Sequence, residues 1–294
     1  MKWHRLYLGL SVLMIVATFV AIFVRGFNLG VDFEGGLLID IKTPGSANLA
    51  EMRQVLGGLG LGDVSLQEFG APDNVLIRMP KQAGGDAAQQ AAVAKVRDAL
   101  GSGIEVRRIE VVGPQVSREL LRNAVYATVS ALLAIMAYLW FRFEWQFGVA
   151  GVLSLLHDVI AIIGIFVIFG LQFDLTIVAA IMTVAGYSIN DSVVVFDRVR
   201  ENMRKYKTMQ LSDLLDLSVN QTLSRTFITG ITTLLVLISL YLFGGEVLRG
   251  FSFALLFGVI IGTYSSIFIA VPLLVYLRVG RIAARGERPL PDTP

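Results

Sequence analysis

Cysteine is absent from the 294 residues, which excludes disulfides, thiolate metal sites and cysteine nucleophiles. Two histidines occur, His4 and His157, too few for a zinc site without carboxylate help, so no metal site is expected. Charge is scarce as well. Asp, Glu, Lys and Arg make up 16% of the chain, and 25 basic against 23 acidic residues leave a net charge of +2. A nucleic-acid-binding surface demands a much stronger basic balance, so nucleic acid is not expected as a partner. What takes the place of charge is apolar. Hydrophobic residues reach 55% without counting the 29 glycines, whereas soluble domains average about 45–50% with glycine included. The mean hydropathy of +0.68 points the same way: this is a membrane protein, and lipid is its first partner.

The apolar excess falls into six stretches, near Leu6–Val24, Leu121–Phe141, Phe147–Phe169, Asp174–Phe196, Thr226–Phe243 and Phe251–Leu277. Each approaches the ~20 residues that cross a ~30 Å hydrocarbon core at 1.5 Å per residue. The first follows Lys2 and Arg5 but is longer than a signal-peptide core and has no A-x-A site before Arg25, so an uncleaved anchor is expected. Basic residues decide orientation. Arg142, Arg198, Arg204, Lys205 and Lys207 fall on the same side as the N-terminus, whereas the opposite short segments hold Arg25 and Arg249. Positive charge marks the cytoplasmic side of short loops, which places both termini in the cytoplasm.

Between the first two spans lies a polar insertion. Leu37–Lys42, Asp63–Phe69, Val75–Met79 and Ile104–Val112 read as strands; Leu49, Met52, Leu56 and Leu59, and later Val93, Val96 and Leu100, recur at helical spacing. Asp86 is a candidate cap for the second helix, and a phase change between Val106 and Ile109 predicts a bulge. The order β-α-β-β-α-β predicts a ferredoxin-like α+β domain. The chain then divides into a first transmembrane helix (1–27), an extracytoplasmic α+β domain (28–118), a five-helix transmembrane bundle (119–278) with a cytoplasmic amphipathic segment (200–220), and a basic cytoplasmic tail (279–294).

A few ionisable groups remain inside the spans, where each costs ~2.5–3.5 kcal/mol at mid-helix and needs either a partner or a role. They are His157 and Asp158 on the third span and Asp191 on the fourth. Thr183, Tyr187, Asn190 and Asp191 share one helical face, and Thr222, Thr226, Thr229 and Thr233 line a face of the fifth span beside Arg225. If these faces meet, a carboxylate, a guanidinium and hydroxyls together can bind and release a proton. Packing alone also accounts for the threonines, and anchoring at the cytoplasmic edge for Arg225. His157 and Asp158 point ~100° apart on a helix and are not expected to face one site. Asp197 and Arg198 read as a solvated pair at the membrane surface. Gly258, Gly262 and Ser266 form a ridge of small residues suited to close helix packing.

Several of these stretches occur together in a known family. Gly30-Val31-Asp32-Phe33-Glu34-Gly35-Gly36 follows the first span, and Val112-Gly113-Pro114 with Arg118-Glu119-Leu120 leads into the second. Leu156-His157-Asp158-Val159 lies on the third. Gly186-Tyr187-Ser188-Ile189-Asn190-Asp191-Ser192 lies on the fourth, and Asn220-Gln221-Thr222-Leu223-Ser224-Arg225-Thr226 leads the fifth. In order, they resemble the SecF side of the SecD/SecF family, within the resistance-nodulation-division superfamily.

The resemblance implies an accessory subunit of the bacterial Sec translocase in the cytoplasmic (inner) membrane. Such a subunit pairs with SecD, works beside the SecY channel, and uses the proton-motive force in late steps of export of an unfolded polypeptide. It further implies that Asp191 carries the proton-coupled step with Arg225 contributing, and that protons are the coupling ion with no other cofactor. Asn190, Tyr187, Thr222, Thr226, His157 and Asp158 are, by their place in the spans, candidate supporting polar residues. No catalytic residue is expected. Gly186-Tyr187-Ser188 does not fit an intramembrane protease, and a small-molecule exporter of the superfamily generally carries both halves in one chain with larger outer domains.

Overall fold

A computed structural model describes residues 3–279 apart from 63, 70, 102 and 278, so the basic tail lies almost wholly outside the described residues. Helix α1 (His4–Arg25) is followed by a single turn, α2 (Val31–Glu34), and then by the α+β domain: β1 (Gly36–Lys42), α3 (Leu49–Gly57), β2 (Ser65–Phe69), β3 (Ala71–Pro80), α4 (Gly85–Leu100) and β4 (Glu105–Val112). The bundle continues with α5 (Pro114–Arg142), α6 (Trp145–Phe169), α7 (Leu175–Lys205), α8 (Leu211–Phe243) and α9 (Gly245–Ser265). A π-helical stretch, Ser266–Ala270, then runs into α10 (Val271–Tyr276). Among the described residues, six helical spans, counting Leu248–Tyr276 as one, are long and apolar enough to cross a membrane.

The four strands form one antiparallel sheet in the order β2-β3-β1-β4. Asp40 pairs with Arg108 but Ile41 with Val106, so Arg107 is the extra residue of a bulge where the sequence changes phase. The helix-covered face holds Leu37, Ile39, Ile41, Leu56, Val75 and Ile77 in a continuous core. Asn48 caps α3, its Oδ1 accepting from the Glu51 amide while its Nδ2 donates to the Glu51 carboxylate, a reciprocal pair that satisfies an otherwise orphaned helix donor. Helix α4 starts one residue before Asp86, with Gly84 as its N-cap, so Asp86 is not the cap predicted. Gly35 sits at φ 79° with the Val112 carbonyl oxygen 2.9 Å from where a Cβ would stand. A side chain there would collide where the chain enters and leaves the domain side by side.

The bundle has two apolar cores separated by a polar layer. Phe166, Ile177, Ile181 and Leu255 pack in the half nearest the α+β domain, and Phe143, Phe147, Phe196, Leu215 and Leu274 in the half nearest the α7–α8 turn. Small residues bring the helices close. Buried Thr18 of α1 occupies the space that a side chain at Gly164 of α6 would need, and a Cβ at Gly258 of α9 would stand 2.3 Å from Val184 Cγ2 of α7.

Two expectations are corrected. The amphipathic segment 200–220 is not a separate surface helix. Helix α7 continues to Lys205, the turn is confined to 206–210, and Leu211 to Asn220 are the first turns of α8. Neither Pro nor Gly interrupts α8 before Gly230, so the helical ladder has no reason to stop at the change of polarity. Asp197 and Arg198 do not pair with each other. Both Asp197 oxygens accept from Arg142 Nη2 at the end of α5, at 2.8 and 2.9 Å, while Arg198 donates to Glu201 and Gln221. Neighbours on a helix diverge by ~100°, and each finds partners on its own side.

Candidate functional site

Asp191 lies near the middle of α7, about 24 Å from Leu175 and about 21 Å from Lys205 at 1.5 Å per residue. Its side chain is 4% exposed, and its Oδ2 has no hydrogen-bond partner. The cation that acts on this carboxylate is Arg225 of α8, yet the two form no salt bridge, and Arg225 stands on the exposed flank of its helix. Tyr187, one turn before Asp191, directs its hydroxyl toward Thr229 and Thr233 of α8 without an aligned hydrogen bond to either. The faces of α7 and α8 therefore do meet, leaving a loosely satisfied polar seam between them.

The remaining residues divide. Thr222 and Thr226 are buried against the seam, and Thr222 Oγ1 bonds back to the Ser218 and Val219 carbonyls at 3.1 Å. Thr229 likewise bonds to Arg225 and Thr226 carbonyls, and Thr183 to Ala179. These hydroxyls satisfy their own helix. Asn190 is exposed beside Asp191, on the same outward side as Thr183 and Gly186.

His157 and Asp158 make a second site, and here the sequence-based expectation fails. The two side chains do meet: His157 Nδ1 lies 3.0 Å from Asp158 Oδ1. The other carboxylate oxygen accepts from Ser188 Oγ of α7 at 2.5 Å and Ser265 Oγ of α9 at 2.7 Å. A ~100° separation of adjacent residues is spanned because the ring and the carboxylate each reach sideways. Asp158 is fully buried and its oxygens are occupied from three directions, tying α6 to α7 and α9. Ser266, the first residue of the π-helical stretch, bonds Ser192 and the Ser188 carbonyl. Ser265 was not singled out from sequence, and Ser188 and Ser192 stood there only as members of the fourth-span motif. The available signal was the ridge of small residues on the sixth span, since Gly262 lets α9 come close enough for Ser265 to reach across.

No cluster of three or more metal-ligating side chains occurs among the described residues. The site is thus one of carboxylates, hydroxyls and a guanidinium within a helical bundle. The SecD/SecF C-terminal family model of protein export membrane proteins matches residues 92–280, and the SecD/SecF GG motif matches residues 20–43. The chain belongs to the SecD/SecF family. It is 47% identical over 282 residues to the protein translocase subunit SecF of Cereibacter sphaeroides, covering 93% of this chain and 87% of that one. The SecF subunit of Rickettsia akari is 42% identical, covering 93% and 90%. Among solved structures, the translocon-associated membrane protein SecDF of Thermus thermophilus superposes with a TM-score of 0.79 at 34% identity. That match covers 95% of this chain and 38% of the longer SecDF chain. This is a multi-pass membrane protein of the Sec export pathway.

Proposed function

We propose that this chain, paired with a SecD subunit, converts the proton-motive force into late movement of an exported polypeptide, with Asp191 as the proton carrier. The observation that carries the reading is a mid-helix carboxylate, buried and with one oxygen unpartnered, on the seam with the Arg225-bearing helix. A carboxylate buried in this way is an unfavourable structural choice, and its open acceptor gives a proton somewhere to bind. Protonation removes the charge and with it the attraction toward Arg225, so the seam between α7 and α8 relaxes. Loss of the proton restores it. One charge crossing 100 mV is worth ~2.3 kcal/mol, about a fiftyfold bias on a two-state equilibrium.

Asn190, Thr183 and Arg225 are exposed on helices long and apolar enough to cross a membrane. A polar stripe facing lipid is costly, and a SecD subunit seated there would cover it, as the larger share of the SecDF chain beyond this match suggests. Residence in the bacterial cytoplasmic membrane with both termini inside completes the reading, since it sets the α+β domain on the side where the polypeptide emerges and gives Asp191 access to the proton gradient.

The deciding measurement is export of a precursor by inner-membrane vesicles under an imposed proton gradient, comparing wild type with Asp191→Asn in the presence of SecD. The variant is expected to assemble normally and to lose the gradient-dependent component of export. Wild-type export by that variant would reduce the chain to a passive scaffold.

A further inference from the structure

The α+β domain is joined covalently to the bundle through α1 and α5, neither of which carries Asp191. Its connection to α7 is made by tertiary contacts, most of them from the short segment 28–35. The Gly30 amide donates to the Phe173 carbonyl at 2.9 Å, the Phe173 amide to the Asn28 carbonyl at 2.8 Å, and Asn28 Nδ2 to the Gly170 carbonyl at 2.9 Å. This forms a short parallel bridge between Leu29 and Phe173. Gly30 suits this close approach, since a Cβ there would stand 3.0 Å from Asp174 Cβ. Phe33 packs on Phe173, whose ring meets Phe166 on its other side.

Asp32 occupies the centre of this arrangement. Its Oδ2 accepts from the amide of Leu175, the first residue of α7, at 3.2 Å. Asp174 takes the next two amides, Thr176 and Ile177, and also faces Arg78 of β3 at 3.9 Å. Three of the four donors left open at the start of α7 are thus met, one of them by a residue 143 positions away that belongs to the stem of the α+β domain. Two carboxylates at this end also complement the helix dipole. From Leu175 onward α7 is one continuous helix, so an axial shift or tilt at Asp191 is carried along it toward this cap.

We propose that Asp32 is a positioning residue for the proton-coupled step: its cap on α7 clasps the α+β domain to the helix bearing Asp191, so that movement of one is delivered to the other. Without the clasp α7 loses the cap that the domain's stem supplies, and the Gly30–Phe173 bridge and the Arg78–Asp174 contact are left to hold the domain to it more loosely. The inference rests on the proton-driven reading above, and the experiment separates the two.

In inner-membrane vesicles containing SecD, Asp32→Ala is expected to lower gradient-driven export at least fivefold while Asp191-dependent proton flux stays within twofold of wild type. Asp32→Asn, which keeps an acceptor oxygen, retains at least half of the export. The sequence has no cysteine, so spin labels at introduced cysteines on exposed Ala91 and Phe169 report the distance from the domain to the α6–α7 turn. That distance distribution is narrow in the otherwise unmodified chain and widens in Asp32→Ala. Wild-type export by Asp32→Ala, proton flux falling in step with export, or an unchanged distribution overturns the clasp. Absence of Asp191-dependent flux in wild type overturns the proton reading, and the label distances then decide the clasp by themselves.

Discussion

Two carboxylates lie within the same bundle, one on α6 and one on α7, and their surroundings are opposites. Asp158 is fully buried, with Ser188, Ser265 and His157 converging on it, so every oxygen has a partner contributed by another side chain. Asp191 is nearly as buried, yet one oxygen has none, and its cation stands off on the exposed flank of α8. Burial alone therefore does not identify the working group. A satisfied buried charge holds helices in one arrangement, because any displacement leaves donors and acceptors unpaired in a medium that cannot repair them. An unsatisfied one leaves the helices free to take a second arrangement. The contrast assigns Asp158 to holding α6, α7 and α9 together and leaves Asp191 for the proposed exchange of protons.

The contrast makes graded predictions, read by thermal unfolding of the purified protein and by its steady-state amount in the membrane. Asp158→Ala removes at once the acceptor shared by Ser188 and Ser265 and the partner of His157, and is expected to cost on the order of 3 kcal/mol or more, with loss of folded protein. Gly262→Leu drives a side chain into Ser188, whose Cβ lies 3.0 Å from where the first carbon of that side chain would stand, and should cost about 1–3 kcal/mol by overpacking. Ser265→Ala removes one donor and leaves two, a loss of about 1 kcal/mol. Asp191→Asn should change stability by less than about 1 kcal/mol, since no aligned partner is lost, while abolishing gradient-driven export. Equal destabilisation by the Asp158 and Asp191 variants would erase the distinction. Arg225→Lys keeps the charge but not the planar fork, and a partial loss of export without loss of protein is the expected result.

Much of the architecture was legible in the chain because lipid leaves so few options. A backbone crossing hydrocarbon must satisfy its own hydrogen bonds, so an apolar run of the right length is a helix. The strands of the α+β domain were equally readable from alternation, down to the bulge at Arg107, where the pattern slips by one residue. The boundaries near the α7–α8 turn were not. The chain is polar through Asn220 but nothing between Leu211 and Asn220 stops a helix, so composition suggested a surface element where these residues are already the first turns of α8. The pairing of Asp197 was misread for a related reason: its partner Arg142 is 55 residues away, and only adjacency with Arg198 is visible in one dimension.

For the candidate site, residue type and depth were enough to single out Asp158 and Asp191 as groups that need explaining, since a charge within an apolar run is costly wherever the helices go. Sequence determined how many spans there are, where the α+β domain is inserted and which side chains are out of place in lipid, because each of these is a local balance between the chain and its solvent. Which of the two carboxylates is saturated and which is open was decided by packing. So was the capping of α7 by Asp32. The first depends on how closely Gly258 and Gly262 let α9 approach α7, the second on a contact between residues far apart in the chain, and those distances exist only once the helices have docked.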